Sequence, residues 1–229
     1  MKKILVIASH PDDEVLGCGG TISRLVREGN VVHIMILGEG ITSRSDKRNK
    51  LSSLKNLSKL NSDSMKAGKI LGAKSVETFD LPDNRFDSID LLDIVKIIEN
   101  KKKSFEPEII FTHHHADLNV DHRLTFEATL IASRPIRGES VKEIYSFEIP
   151  SSTEWQFQTQ GKTFTPNVYN SILKKDLLNK IKAMQIYSSE KRAFPHPRSP
   201  QALEALAKWR GSNSGYDFAE CFELVRIIK

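Results

Sequence analysis

A short stretch near the start of the chain combines a histidine with three carboxylates. The four residues are His10, Asp12, Asp13 and Glu14, and they follow an apolar run at residues 4–8. Such a run is typical of a buried strand, and polar side chains at the end of a strand are where α/β enzymes hold their catalytic groups. Imidazoles and carboxylates bind metal ions and accept protons, so this stretch is a candidate catalytic site.

A second polar cluster follows another apolar run later in the chain. Residues 108–111 lead into the segment THHHADLNVDHR at residues 112–123. The carboxyl ends of parallel strands lie at the same edge of a sheet, so we expect the two clusters to meet. Two strand ends that deliver imidazoles and carboxylates favour metal-assisted hydrolysis.

The spacing of the first cluster suits a metal ion. His10 and Asp13 lie three residues apart at a predicted strand-to-helix turn, where Pro11 fixes one backbone angle, so both can reach one ion. A third ligand from the second cluster would leave one position for water, the pattern of a catalytic zinc site. Asp12 is not needed as a ligand and is therefore a candidate general base.

Two other interpretations of this stretch are weaker. The carboxylates could simply cap the helix predicted to begin near Val15, but that role does not require the second cluster. The glycines at residues 17–20 follow a strand as a dinucleotide-binding loop would. They lack the G-x-G-x-x-G spacing, and the acidic residues before them would repel a pyrophosphate. A nucleotide-dependent transferase or dehydrogenase is therefore disfavoured.

The two clusters resemble the signature motifs of the PIG-L/LmbE family of zinc-dependent de-N-acetylases. The matching segments are HPDDEVLGCGGT at residues 10–21 and DLNVDHR at residues 117–123, and the closing segments PHPRSPQALEALAKWRG and AECFELVR are also similar. The resemblance implies that an acetyl group is removed from a GlcNAc-type amino sugar carried on an aglycone. It implies Zn²⁺, or another divalent transition metal, on His10, Asp13 and His122, with Asp12 as the base.

Two positions depart from the best-studied branches of that family. Asn119 stands where those branches often carry a histidine that helps to stabilise the oxyanion, and Tyr187 stands where many relatives carry another histidine. An amide or a hydroxyl group can also donate a hydrogen bond to an oxyanion. The candidates for this second catalytic group are Asn119, Tyr187, His196 and the histidines 113–115. Asp121, next to His122, is a candidate for orienting a neighbouring group.

Three arginines at predicted loop ends near the site are candidates for binding the aglycone: Arg44, Arg85 and Arg198. Arginine binds phosphate and carboxylate groups through two parallel hydrogen bonds, so these residues suit an anionic aglycone such as a nucleotide diphosphate or a lipid phosphate. A surface salt bridge is the competing interpretation for each of them.

Strand and helix signals alternate along the chain. Apolar or β-branched runs predict strands at residues 3–8, 31–37, 75–81, 108–112 and 142–149, and helical spacing predicts helices at residues 21–27, 47–71, 88–101 and 121–133. This alternation predicts an α/β, Rossmann-like three-layer fold with a mainly parallel, LmbE-like sheet. Residues 150–170 follow neither period and are a candidate substrate-covering insertion.

Length and composition restrict the class of protein. The 229 residues contain no linker-like segment, so we expect one domain over residues 1–229. The formal net charge is +5, but no basic stripe interleaved with aromatic residues appears, so we do not expect a nucleic-acid partner. No apolar stretch approaches the roughly 20 residues that span a bilayer. We expect a cytoplasmic enzyme with a small-molecule substrate, and the sequence leaves a homo-oligomer open.

The resulting hypothesis is hydrolysis of the acetamide of an amino sugar. Its rival is a catalytically inactive, metal-containing protein that binds sugars, which the departures at Asn119 and Tyr187 favour. Asp12 argues against the rival, because a binding protein has no use for a base that is not a ligand.

Overall fold

The computed structural model describes residues 1–44 and 50–229, apart from the side chains of Arg44 and residues 50–53. The strands are β1 (Lys3–Ala8), β2 (Val31–Gly38), β3 (Ser75–Leu81), β4 (Ile109–His113), β5 (Glu143–Phe147), β6 (Val168–Ser171) and β7 (Ala219–Ile227). The helices are α1 (Asp13–Arg27), α2 (Lys50–Leu71), α3 (Leu91–Phe105), α4 (Val120–Ala132), α5 (Lys174–Ile186) and α6 (Pro200–Ser212). None of the described helices is long and apolar enough to cross a membrane.

The described strands form one sheet in the order β3-β2-β1-β4-β5-β7-β6. The strands β1 to β5 pair in parallel, whereas β7 is antiparallel to β5 and β6 is antiparallel to β7. The chain runs outward from β1 to β3 and then returns to place β4 on the other side of β1. In such a sheet a crevice opens at the carboxyl ends of the two central strands, here β1 and β4.

Helices cover both faces of the sheet. Ile4, Val6 and Ala8 of β1 belong to an apolar core that includes residues of α1, α2 and α5. Leu5 and Ile7 belong to a second core, which includes residues of α3 and α4. Alternate side chains of β1 therefore enter opposite cores, as the two-residue period of a strand requires. The predicted three-layer α/β fold is confirmed.

The predicted elements differ from the observed ones in several ways, and the helices α5 and α6 were not predicted. The five predicted strands are present with small shifts at their ends, but β6 and β7 were not predicted, because their polar and apolar residues do not alternate cleanly. The helix after β1 begins at Asp13 rather than at residue 21. The start of the helix predicted at residue 47 lies outside the described residues. Residues 150–170 contain only a short 3₁₀ turn and the beginning of β6.

Helix α1 is broken at Cys18, and a buried ion pair binds the backbone groups that the break leaves free. Cys18 has non-helical angles of φ −148° and ψ 23°. Lys180 Nζ donates to the Leu16 carbonyl oxygen at 2.8 Å and to Glu220 Oε1 at 2.6 Å. The same carboxylate accepts the amide of Gly20 at 3.0 Å. The helix α1, which begins at the predicted metal ligand Asp13, is thereby fixed by residues from the later part of the chain.

Replacing Lys180 by Met should lower the free energy of unfolding by about 3–5 kcal/mol, because it leaves the Glu220 carboxylate buried and unpaired. Urea denaturation measures this change. Lys182→Met, at an exposed position of the same helix, is the matched control and should change stability by less than about 0.5 kcal/mol. Adding Glu220→Gln to Lys180→Met should recover part of the loss. Equal stability of the two single variants would contradict a role for this pair.

Candidate active site

A cavity of about 330 Å³ opens at the carboxyl ends of β1 and β4. The turn after β1 supplies His10 and Asp12, the first residue of α1 is Asp13, and the first turn of α4 supplies His122. The clusters after the two apolar runs therefore meet, as the parallel sheet predicts. The polar walls of this cavity suit a substrate rich in hydroxyl and amide groups.

Three of the lining side chains could hold a metal ion. Asp13 Oδ2 lies 3.4 Å from His10 Nδ1 and 3.2 Å from His122 Nε2. One ligand atom from each of the three residues lies within 4.8 Å of the other two. One carboxylate and two imidazoles are the donor set of many catalytic zinc sites.

The nitrogen on the far side of each imidazole faces another carboxylate. His10 Nε2 is hydrogen-bonded to Asp121 Oδ2 at 2.8 Å. His122 Nδ1 lies 3.0 Å from Asp117 Oδ1, an ion-pair distance without an aligned hydrogen bond. With a proton on each of these far nitrogens, the lone pairs of His10 Nδ1 and His122 Nε2 point toward Asp13. Carboxylates in this outer position fix the tautomer and strengthen a metal-binding histidine, so the residues fit zinc.

These outer carboxylates are themselves held by hydrogen bonds. Asp121 accepts the backbone amides of Asn84 at 2.6 Å and Phe86 at 2.9 Å. Asp117 accepts the hydroxyl groups of Ser152 and Thr153. The ligand geometry is therefore set by the segments that follow β3 and β5 as well as by the two central strands.

The charges of the site are strongly coupled. Burial lowers the pKa of His122, but Asp13 and Asp117 outweigh burial and raise that pKa to about 9. Burial raises the pKa of Asp13, but His122 and His10 outweigh it and hold the pKa well below its usual range. Asp13 is therefore an anion and a ready cation ligand.

The histidines 113–115 do not line the cavity. His113 Nε2 accepts the backbone amide of Ser9 at 2.8 Å, and its ring stacks on His122. His114 and His115 form a second cluster with Glu223 that could hold a metal. However, His114 is bonded to Glu223 and to the Lys162 carbonyl, and His115 Nε2 is bonded to the Gly161 carbonyl. These two histidines anchor the loop before β6.

Asp12 lies beside the candidate metal group without belonging to it. The residue is buried and has a left-handed φ of 111°. Its Oδ2 atom accepts a hydrogen bond from Arg198 Nη1 at 2.7 Å. Burial is the main cause that raises the pKa of Asp12 well above its usual range, and the Arg198 charge opposes this rise. A buried carboxyl group next to a metal group is well suited to accept and return a proton.

The structure describes the side chains of two of the three predicted arginines, Arg85 and Arg198, and neither is arranged to bind an anion in the cavity. Arg198 binds Asp12 and also donates to Ser151 Oγ at 2.8 Å, so its guanidinium is occupied by the protein. Arg85 is exposed and is not among the described residues that line the cavity, and the side chain of Arg44 lies outside the described residues. Arg198 lines the cavity together with Arg192, which the sequence did not indicate.

The other candidates for the group that stabilises the oxyanion differ in whether they reach the cavity. Tyr187 is fully buried and donates to Glu14 Oε1 at 2.5 Å, so its hydroxyl does not face the cavity, contrary to the sequence hypothesis. Asn119 lines the cavity, but its Oδ1 caps α4 at the Asp121 amide, and its Nδ2 donates to Asn84. His196 lines the cavity, and its Nδ1 accepts the Arg198 amide at 3.2 Å.

Asp83 and Asn84 also line the cavity, and their position directly after a predicted strand could have indicated this. Asp83 and Asn84 follow the predicted strand β3, and Asp83 Oδ1 lies 3.4 Å from His10 Nε2. The expectation that polar residues at neighbouring strand ends meet applies to them as well. Trp155 belongs to the segment at residues 150–170 that the sequence indicates as a candidate substrate-covering insertion, whereas Glu190 gave no signal because it reaches the cavity from an irregular segment.

Fold and site together define an α/β protein with a His/Asp group that could hold a metal ion at the point where the strand order reverses. The sequence model of the PIG-L family, described as GlcNAc-PI de-N-acetylase, matches residues 5–133, which is more than half of the chain. The chain belongs to this family, and the resemblance noted in the sequence is confirmed.

The relatives are named deacetylases. The Escherichia coli K12 protein named uncharacterized deacetylase YaiS is 28% identical over 193 residues, covering 82% of this chain and 91% of its own. Diacetylchitobiose deacetylase of Thermococcus kodakarensis is 25% identical over 238 residues, covering 98% of this chain and 84% of its own. The expectation that the chain is a hydrolytic enzyme acting on an amide is confirmed.

Solved structures share the fold. GalB, the 4-carboxy-2-hydroxymuconate hydratase of Pseudomonas putida KT2440, has a TM-score of 0.74 and 23% identity, covering 100% of this chain and 99% of its own. Deacetylases are also among the structures with this fold. The fold therefore accommodates more than one reaction, and the site residues must distinguish between them.

Replacing Arg198 by Met should lower kcat/KM about 10- to 150-fold, because it removes a charge-assisted hydrogen bond worth about 1.5–3 kcal/mol from Asp12. The loss should be equal on neutral and anionic N-acetyl sugars, since the contact is to Asp12 and not to the aglycone. Acetate release measures it, with Arg85→Met as the matched control. A loss confined to anionic substrates would restore the anion-binding hypothesis for Arg198.

Proposed function

We propose that the protein hydrolyses the acetamide of an N-acetylated amino sugar and releases acetate and the free amine. The observation that carries this proposal is the position of Asp12, a buried carboxyl group that lines the cavity next to His10, Asp13 and His122 without being needed as a ligand. The names of the relatives support it, because one of them is a diacetylchitobiose deacetylase.

The metal in this proposal is zinc, held by His10, Asp13 and His122. When bound there, zinc acts as a Lewis acid toward the acetyl carbonyl and lowers the pKa of a coordinated water. The fit rests on the donor set and on the carboxylates of Asp121 and Asp117 behind the two imidazoles.

Asp12 carries the proton transfers. Its carboxylate accepts the proton of the attacking water, while Arg198 holds the carboxylate in place at 2.7 Å. The carbonyl carbon becomes tetrahedral, and the oxyanion needs a hydrogen-bond donor. Asp12 then returns the proton to the leaving amine nitrogen as the C–N bond breaks.

His196, which lines the cavity, is the side chain that we propose as the donor to the oxyanion. Burial and the charges of Arg198 and Arg192 lower the pKa of His196, so the ring is neutral at pH 7. Because Nδ1 accepts the Arg198 amide, the single ring proton is on Nε2, which makes that atom a donor. Asn119 is the second candidate, although its amide group is already bonded to Asn84 and to the backbone of α4.

The cavity wall suits a pyranose ring. Trp155 is 55% exposed, lines the cavity and lies at the start of the irregular segment at residues 150–170, which we propose as the substrate-covering part of a single domain. Aromatic faces pack against the apolar face of a sugar ring. Asp83 and Asn84, which also line the cavity, offer partners for sugar hydroxyl groups, and Arg192 offers a charge for an anionic aglycone.

Replacing Asp12 by Asn should reduce turnover about 100-fold or more, because the amide keeps the size of the side chain but cannot accept a proton. Zinc content should stay at the wild-type level, since Asp12 is not a ligand. Acetate and new primary amines are measured with N-acetyl sugars that are free, nucleotide-linked or lipid-linked.

Two outcomes would contradict the proposal. Near-normal acetate release by a zinc-replete Asp12→Asn protein would assign the base to another group. Sugar binding without acetate release by the wild-type protein would favour the inactive sugar-binding protein instead.

A further inference from the structure

The buried pair Glu14 and Tyr187 has no part in the reaction described above. Both side chains are fully buried, and neither lines the cavity. Tyr187 Oη donates to Glu14 Oε1 at 2.5 Å, and Glu14 Oε2 accepts the backbone amide of Asp12 at 3.1 Å. A carboxylate without contact to solvent or to the cavity is costly to bury, so its hydrogen bonds require an explanation.

The residue at the end of this chain of bonds has an unfavourable backbone conformation. Asp12 has a φ of 111°, outside the region that residues with a side chain ordinarily adopt. Such a conformation costs about 1–3 kcal/mol and persists only where the surroundings impose it. The hydrogen bond to Glu14 fixes the orientation of the peptide between Pro11 and Asp12, on which the direction of the Asp12 side chain depends.

Asp12 is thus held at two places by the segment after α5. Its amide is bound through Glu14 to Tyr187, and its carboxylate is bound through Arg198 to Glu190 at 3.4 Å. The Glu190 amide in turn donates to the Tyr187 carbonyl at 2.9 Å. This hydrogen bond links the two restraints, and both of them act on Asp12.

We infer that Glu14, supported by Tyr187, is a positioning residue that keeps Asp12 in its left-handed conformation with the carboxylate directed at the attacking water. This inference rests on the proposed deacetylation, since it assigns Asp12 the role of base. The role of Glu14 is that of a hydrogen-bond acceptor for the Asp12 amide and does not involve proton transfer.

Two substitutions of Glu14 separate acceptance of a hydrogen bond from negative charge. Glu14→Gln keeps one oxygen for the Asp12 amide, and its NH₂ group can donate to the Tyr187 oxygen. Glu14→Leu has a similar volume but offers no acceptor. The Leu variant should lose about 10- to 100-fold in kcat, because small misplacements of a catalytic group carry losses of this size. The Gln variant should stay within about threefold of the wild-type kcat.

Three controls distinguish positioning from a merely structural role. KM and zinc stoichiometry of the Leu variant should remain within about twofold of wild type, which a collapsed site would not allow. Tyr187→Phe, which removes a single oxygen, should give a smaller loss of kcat in the same direction. If Glu14→Leu does not fold, the test uses Tyr187→Phe and the double variant Glu14→Leu/Tyr187→Phe. The double variant leaves no buried Tyr187 hydroxyl without its Glu14 partner.

Unchanged kcat in the Leu variant would overturn the inference, and so would a Gln variant as impaired as the Leu variant. Absence of acetate release by the wild-type protein would instead refute the proposed deacetylation. In that case a crystal structure of the Leu variant decides about Glu14: Asp12 should leave the left-handed region, and an unchanged φ would overturn the inference.

Discussion

The site depends on one buried carboxylate, that of Asp13, whose charge must be compensated inside the protein. A buried anion is stable only when it is paired and hydrogen-bonded or bound to a metal. Asp13 Oδ2 meets this condition through the amide of His10 at 2.8 Å and through the imidazoles of His10 and His122. Those imidazoles are in turn bound by Asp121 and Asp117. Alternating positive and negative groups thus form one coupled set, and loss of one member affects the charge of all the others.

The fold brings this set together because the strand order reverses between β1 and β4. His10 and Asp13 follow β1, and His122 begins the helix after β4, so residues far apart in sequence meet at one crevice. The break in α1 has a second role. It allows the turns that carry Asp13 to be anchored by Lys180 and Glu220, so the last strand of the sheet also supports the site.

The sequence was sufficient for those parts of the protein that depend on local patterns. Apolar runs predicted the five parallel strands, and the motif around His10 and Asp13 predicted the candidate metal ligands that the structure brings together with His122. It was insufficient where contacts join distant segments. Arg198 was predicted to bind an anion because no local pattern shows that it meets Asp12, 186 residues away. Tyr187 was predicted to face the substrate, but the end of α5 directs its hydroxyl to Glu14. The strands β6 and β7 were missed because side-chain alternation is weak at the antiparallel end of the sheet.

The central claim is that His10, Asp13 and His122 hold a catalytic zinc ion. The most direct measurement is anomalous X-ray diffraction at the zinc absorption edge from crystals of the zinc-replete protein. The account predicts one anomalous peak bonded to His10 Nδ1, Asp13 Oδ2 and His122 Nε2, at about 2.0–2.2 Å from each atom. A peak at His114, His115 and Glu223 instead, or zinc-replete crystals with no peak beside Asp13, would contradict it.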